Sequence, residues 1–134
     1  MEEKINSCVF DTSVWIANFL LSDVRHEKAR DAFASVGWRV YVPYAVLLET
    51  STVLAYKSSK AQADMFLEFI SRDERCAIVQ SDYESEISMF RSVPAKISFA
   101  DIAVICASMR LGAPLITFDK QMKKIYGRTP AHRS

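Results

Sequence analysis

The sequence is short of glycine. Only Gly37, Gly112 and Gly127 occur in 134 residues. That excludes the glycine-rich phosphate loops, since neither G-x-G-x-x-G nor a Walker A motif can be drawn. Histidine is scarcer still: His26 and His132 are too few imidazoles for a zinc centre of the usual kind. His26 lies in the charged run Arg25-His26-Glu27-Lys28 and reads as solvated, while His132 falls in the C-terminal segment. A cysteine–histidine pair would have to draw on those distant positions, and no G-x-S-x-G elbow serves a serine hydrolase. Cys8, Cys76 and Cys106 are odd in number and sit in apolar runs. They suit small core residues in a reducing cytoplasm rather than a disulfide framework. A formal net charge of +1 gives no long-range field for nucleic acid or anionic lipid, so such binding must come from a local patch or a bound metal. No apolar run approaches the roughly 18 residues of a membrane helix. The polar start, Met1 to Lys4, has neither the length nor the cleavage pattern of a signal peptide.

What is present is a balanced composition, half hydrophobic and a quarter charged, in a length that fits one domain. A single domain is expected over residues 1–127, with a mobile tail over 128–134. Ile5 to Phe10 reads as a strand buried on both faces and ended by Asp11. Val14 to Leu21 and Val24 to Val36 read as helices, the second stopped by Gly37. Trp38 to Val42 is a strand closed by Pro43, which suits the first turn of a helix over Tyr44 to Tyr56. A helix over Lys60 to Ser71, a strand over Cys76 to Val79 and a helix over Asp82 to Phe90 follow. Ser98 caps a helix running to Leu111, which Gly112 and Pro114 stop. Leu115 to Phe118 is a fourth strand ending at Asp119, and Lys120 to Tyr126 a short basic helix. Trp15, Trp38 and Phe33 read as core. Strands that alternate with helices throughout predict a parallel sheet with helices on both faces.

In such sheets ligands bind outside the carboxyl ends of the strands. Asp11 and Asp119 end strands, while Glu49 and Asp101 lie in the opening turns of crossover helices, so four acids map to one rim. Glu49 shares its helix face with Ala45, Val46, Thr52, Val53 and Tyr56, and Asp101 with Val104, Ile105 and Ser108. Acids on apolar stripes face the sheet, where unpaired carboxylates are costly. A hard dication with oxygen ligands, Mg²⁺ or Mn²⁺, relieves that cost. Each acid also has an ordinary alternative. Asp11 and Asp119 serve as turn residues, Asp101 completes a capping box with Ser98, and Glu49 pairs with Lys57 or Arg110.

The same residues carry a resemblance. Phe10-Asp11-Thr12-Ser13-Val14, Val46-Leu47-Leu48-Glu49, Ser98-Phe99-Ala100-Asp101-Ile102-Ala103 and Leu115-Ile116-Thr117-Phe118-Asp119 stand in an order that resembles the PIN domains of VapC-type toxins. The resemblance implies a three-layer α/β/α sandwich with a central parallel sheet of four or five strands. It implies a Mg²⁺- or Mn²⁺-dependent endoribonuclease, often a homodimer, held inactive by a cognate antitoxin that covers the acidic site. It carries the metal-binding, catalytic set onto Asp11, Glu49, Asp101 and Asp119, with supporting hydroxyls at Thr12, Ser13 and Thr117. Two departures stand out. Gln121 replaces the second acid that many members carry after the last one, and 127–134 is a poor fifth strand.

The reaction so implied is phosphodiester hydrolysis by metal-activated water. Lys120, Lys123, Lys124 and Arg128 form a basic segment beyond Asp119 that either tracks the RNA backbone or is a solvated helix face. The apolar residues from Met65 to Ile70 offer a dimer surface or belong to the core. Two competing functions remain. One is a receiver-like phosphoacceptor domain using Asp82 and Lys120, which leaves Glu49 and Asp101 unexplained. The other is a non-catalytic PIN-like module that binds RNA or protein.

Overall fold

The computed structural model describes residues 5–128. The order is β1 (Ile5–Phe10), α1 (Thr12–Phe19), α2 (His26–Ala34), β2 (Val36–Pro43), α3 (Tyr44–Lys57), α4 (Lys60–Arg72), β3 (Cys76–Val79), α5 (Tyr83–Ser92), α6 (Phe99–Leu111), β4 (Leu115–Ile116) and α7 (Lys120–Gly127). The strands form one parallel sheet in the order β3-β2-β1-β4. Helices flank it, as the expected sandwich requires, and four strands are present among the described residues. The tail expected beyond Arg128, with His132 and any fifth strand there, lies outside the described residues. Among the described residues no helix is long and apolar enough to cross a membrane.

The sheet is built on β1. Cys8, Val9 and Phe10 are consecutive and fully buried, as a strand covered on both faces demands. The chain steps from β1 to β2 to β3 on one side, then returns to place β4 on the other side of β1. That reversal makes the carboxyl ends of β1 and β4 the switch point of the sheet, where a crevice opens. An aromatic cluster fills the space under α1, α2 and α4. Trp15 lies 5.4 Å from Phe10, 5.7 Å from Phe66 and 5.9 Å from Phe33, centroid to centroid. Helix α6 is buried on every side, with each residue from Ile102 to Ser108 inaccessible. It is therefore a central helix rather than a surface one.

Several sequence expectations need correction. Val36 begins β2 instead of ending a helix, because it pairs with Ile5. Gly37 stops nothing. The register runs Ile5 to Val36 but Ser7 to Arg39, so β2 holds one extra residue there, a bulge that glycine suits. Helix α2 starts at His26, not Val24, since Asp23 accepts the Arg25 backbone N–H at 2.8 Å and holds the preceding turn. Trp38 is not core: it is half exposed, with the Arg39 guanidinium 5.0 Å from its ring. His26 is not solvated. Its Nδ1 meets the Ala17 carbonyl at 2.7 Å and its Nε2 is buried. Cys8 and Cys106 are buried, Cys76 is half-buried, and all three are free thiols. Strand β4 stops at Ile116 because Thr117 turns the chain, its hydroxyl accepting the Asp119 backbone N–H at 3.0 Å.

Candidate active site

Asp11 follows the last residue of β1 and is nearly inaccessible. It caps α1: Oδ1 accepts the Val14 backbone N–H at 3.2 Å and the Ser13 hydroxyl at 2.6 Å. The other oxygen, Oδ2, accepts the Thr117 hydroxyl at 2.5 Å. Ser13 in turn accepts the Phe118 backbone N–H at 3.3 Å. Two hydroxyls thus tie the β1–α1 turn to the β4–α7 turn and fix the carboxylate between them. Thr12, the other hydroxyl the resemblance pointed to, is buried but makes no hydrogen bond to the acids among the described residues.

Asp119 is the N-cap of α7, with Oδ1 accepting the Met122 backbone N–H at 3.0 Å, and is exposed. Asp101 sits in the first turn of α6. Ser98 caps that helix by accepting the Asp101 backbone N–H at 3.0 Å, so the cap expected from the sequence forms while the Asp101 carboxylate stays available. Glu49 is half-buried in the second turn of α3, but the stripe it was expected to share is not the core stripe. Val46, Thr50 and Leu54 face inward, while Thr52 and Tyr56 are exposed. Glu49 therefore stands at the margin of the sheet crevice rather than under it.

The electrostatics join what the chain separates. Burial pushes the Asp101 carboxyl up to about 6, and the negative charges of Glu49, Asp11 and Asp119 add to that, while the Ser98 hydroxyl pulls the other way. Burial also raises Asp11, opposed by its hydrogen bonds from Ser13, Thr117 and Val14 and aided by the charge of Asp119. Like charges and desolvation both favour the protonated form, so this rim holds more negative charge than its surroundings neutralise. Among the described residues no lysine or arginine pairs with any of the four acids. The donor set is all carboxylate oxygen, which fits a hard dication and not zinc or copper. The four are neighbours and not yet a closed cage, because no three such ligands converge on one point among the described residues.

The expected basic segment is exposed on α7. Lys120, Lys124 and Arg128 share one side of it, lining a cavity with Ala95, Gln121 and Ile125, whereas Lys123 points elsewhere. One cation was missed by the sequence reading. Arg25 lies 5.0 Å from the Phe118 ring, beside Asp119. No local signal marks it, since the contact exists only because the α1–α2 turn folds against the turn after β4. Asp82, the alternative phosphoacceptor, is committed elsewhere. It caps α5 through Ser85 and faces Arg110 at 3.9 Å.

A family model described as the PIN domain matches residues 8–128. Among solved structures, VapC20 of Mycobacterium tuberculosis, described as a toxin that cleaves the sarcin–ricin loop, aligns with a TM-score of 0.78 at 22% identity. That alignment covers 88% of this chain and 94% of that one. VapBC2 from Rickettsia felis, bound to a DNA fragment from its promoter, aligns with a TM-score of 0.65 at 14% identity, over 93% and 94%. No curated protein sequence matches. At such identities the two structures testify to the fold, and the family model, which spans nearly all the described residues, to the lineage: the chain belongs to the PIN domain family.

Proposed function

We propose that this chain is a metal-dependent endoribonuclease that hydrolyses phosphodiester bonds at the rim of Asp11, Glu49, Asp101 and Asp119, and that it is the toxin of a VapBC-type pair. The observation that carries the reading is the carboxyl of Asp101, which feels three other carboxylates drawn from three other segments and no compensating base. A fold has little reason to gather unpaired acids unless something cationic belongs among them. A bound Mg²⁺ or Mn²⁺ supplies charge neutralisation at the scissile phosphate and a nucleophilic water.

The chain's own residues do the rest. Ser13 and Thr117 hold the Asp11 carboxylate in one orientation from both sides, as supports to a metal ligand commonly do. Asp101, in the first turn of α6, and Glu49, in the second turn of α3, would complete the ligand set, the charges of Glu49, Asp11 and Asp119 all acting on Asp101. Lys120, Lys124 and Arg128 present cations along α7, leading away from Asp119, where an RNA backbone can lie. The substrate class follows the neighbour described as cleaving the sarcin–ricin loop, and the antitoxin partner follows the neighbour solved as a VapBC complex.

The test is cleavage of a structured RNA pool with Mg²⁺ or Mn²⁺, comparing the wild type with Asp11→Asn and Asp101→Asn. Cleavage that requires metal and disappears in both folded variants supports the reading. Cleavage surviving both places the chemistry elsewhere. A second reading, a non-catalytic RNA- or protein-binding module, draws on the open spacing of the acids and on Gln121. RNA affinity unaffected by EDTA, without cleavage, would favour it.

A further inference from the structure

Helices α5 and α6 pack on each other, and sulfur gathers where they meet. Met89 of α5 and Cys106 of α6 place Sδ and Sγ 3.7 Å apart. Met109 follows Cys106 by three residues, so the two share a face of α6. All three side chains line one cavity of about 290 Å³, together with Asp82, Ser85 and Arg110. Methionine and cysteine often do no more than fill gaps in a core. Here they border a space that they leave open. Cys106 is buried at its floor, while Met89 and Met109 are half-buried. The charged members of the lining are already engaged. Asp82 caps α5 and faces Arg110 at 3.9 Å, and Arg110 donates to the Gln80 carbonyl at 3.1 Å. The Cys106 thiol has the Met89 thioether as its partner, which is a weak acceptor.

Two sulfurs that hold one metal ion at about 2.3 Å each, at trigonal or tetrahedral angles, stand about 3.8–4.0 Å apart. The 3.7 Å between Met89 and Cys106 is already close to that spacing. Thiolate and thioether are soft donors, and they select Cu(I) over the hard dications that carboxylates prefer. We infer that Cys106, Met89 and Met109 form a binding site for a soft monovalent cation, Cu(I), separate from the carboxylate rim. The Cys106 thiol gives its proton to solvent as the copper–sulfur bond forms, and the ion keeps its oxidation state. Burial holds that thiol up at about 11, with the charges of Glu86 and Asp82 adding to the shift and Arg110 opposing it, so the proton is present at neutral pH and binding releases it. The other two cysteines do not compete as a pair. Cys8 and Cys76 both stand in register with Val40, on the strands either side of it. Two strand spacings, about 9.6 Å, keep them from sharing one ion. The inference is independent of the nuclease reading.

Titration of the reduced full chain with Cu(I), without oxygen and in competition with a chromogenic Cu(I) chelator, tests it. The wild type withdraws one equivalent of Cu(I) from the chelator and gains a thiolate-to-copper absorption band in the ultraviolet. Cys106→Ser removes the band, and Cys76→Ser leaves it. Met89→Leu and Met109→Leu each weaken binding by at least about tenfold, since losing even a group that only supports a metal ligand costs that much. Leucine conserves the volume of methionine, and circular dichroism checks that both variants fold. Both keep the thiol, so they read out the site even if Cys106→Ser were to disturb the fold. A wild type that leaves all the Cu(I) with the chelator, or a methionine variant that binds as tightly as the wild type, overturns the inference. So does a band that survives Cys106→Ser.

Discussion

Replacing Thr117 by valine isolates the device that holds the candidate site together. Valine keeps the shape of threonine and deletes its hydroxyl, which donates to Asp11 at 2.5 Å and accepts from the Asp119 backbone at 3.0 Å. A hydrogen bond to a charged group contributes about 1.5–3 kcal/mol, and the position is buried, so solvent does not replace it there. The Asp119 N–H lies nearer the surface and finds water at little cost. The expected loss of stability is therefore about 2 kcal/mol at neutral pH. Urea denaturation measures it as a lower midpoint with an unchanged slope. Thr117→Ser retains the hydroxyl, and its expected loss is under about 1 kcal/mol. The deficit of the valine variant shrinks in acid, because the missing bond favours the charged form of Asp11. If the valine and serine variants unfold at the same urea concentration, the Asp11–Thr117 bond does not support this rim and the reasoning fails.

The raised Asp101 carboxyl predicts a second pH effect. Between 3.8 and about 6 the folded chain holds a proton that the unfolded chain has released, so the stability this group allows is full below 3.8, falls as pH rises through that window and is lost above about 6. Asp101→Asn should accordingly raise the melting temperature of the metal-free protein at pH 7 and leave it nearly unchanged near pH 4; a drop at pH 7 would contradict the unpaired-acid picture. Mg²⁺ or Mn²⁺ should raise the wild-type melting temperature at pH 7 more than at pH 5, because protons compete for the same oxygens, and calorimetry in buffers of different ionisation enthalpy should register proton release. Lys120→Ala and Lys124→Ala should each reduce the salt dependence of RNA binding by about one unit of slope, and Lys123→Ala by less, since it lies off the shared face. Trp15→Ala should cost about 3–5 kcal/mol, enough to unfold much of the protein, because Trp15 is the fully buried hub of the aromatic cluster.

The sequence made the sheet legible because its signals were local. Cys8-Val9-Phe10 is apolar without alternation, Ser98 and Gly112 punctuate α6, and Gly112 does take the left-handed conformation at φ 62°. The order of the acids along those elements placed them on one rim. What stayed hidden depended on contacts between distant segments. Gly37 looked like a helix stop because its pairing partner across the sheet was invisible. Glu49 looked core-facing because helix periodicity alone cannot say where α4 and α6 meet α3. Arg25 carried no pattern at all. Met89 was read as part of an ordinary helix, since only packing brings it to Cys106.

The bond between Asp11 and Thr117 joins residues 106 positions apart. Each rim residue waits for the next: Glu49 emerges early, Asp101 late, and Thr117 and Asp119 almost at the end of the described chain. Loops that long close only when the domain folds around them, and their entropy is repaid all at once. A chain still being synthesised therefore carries Asp11 without the groups that orient it. An activity located at this rim is gated by synthesis of the segment that carries Thr117 and Asp119, and does not grow gradually along the way.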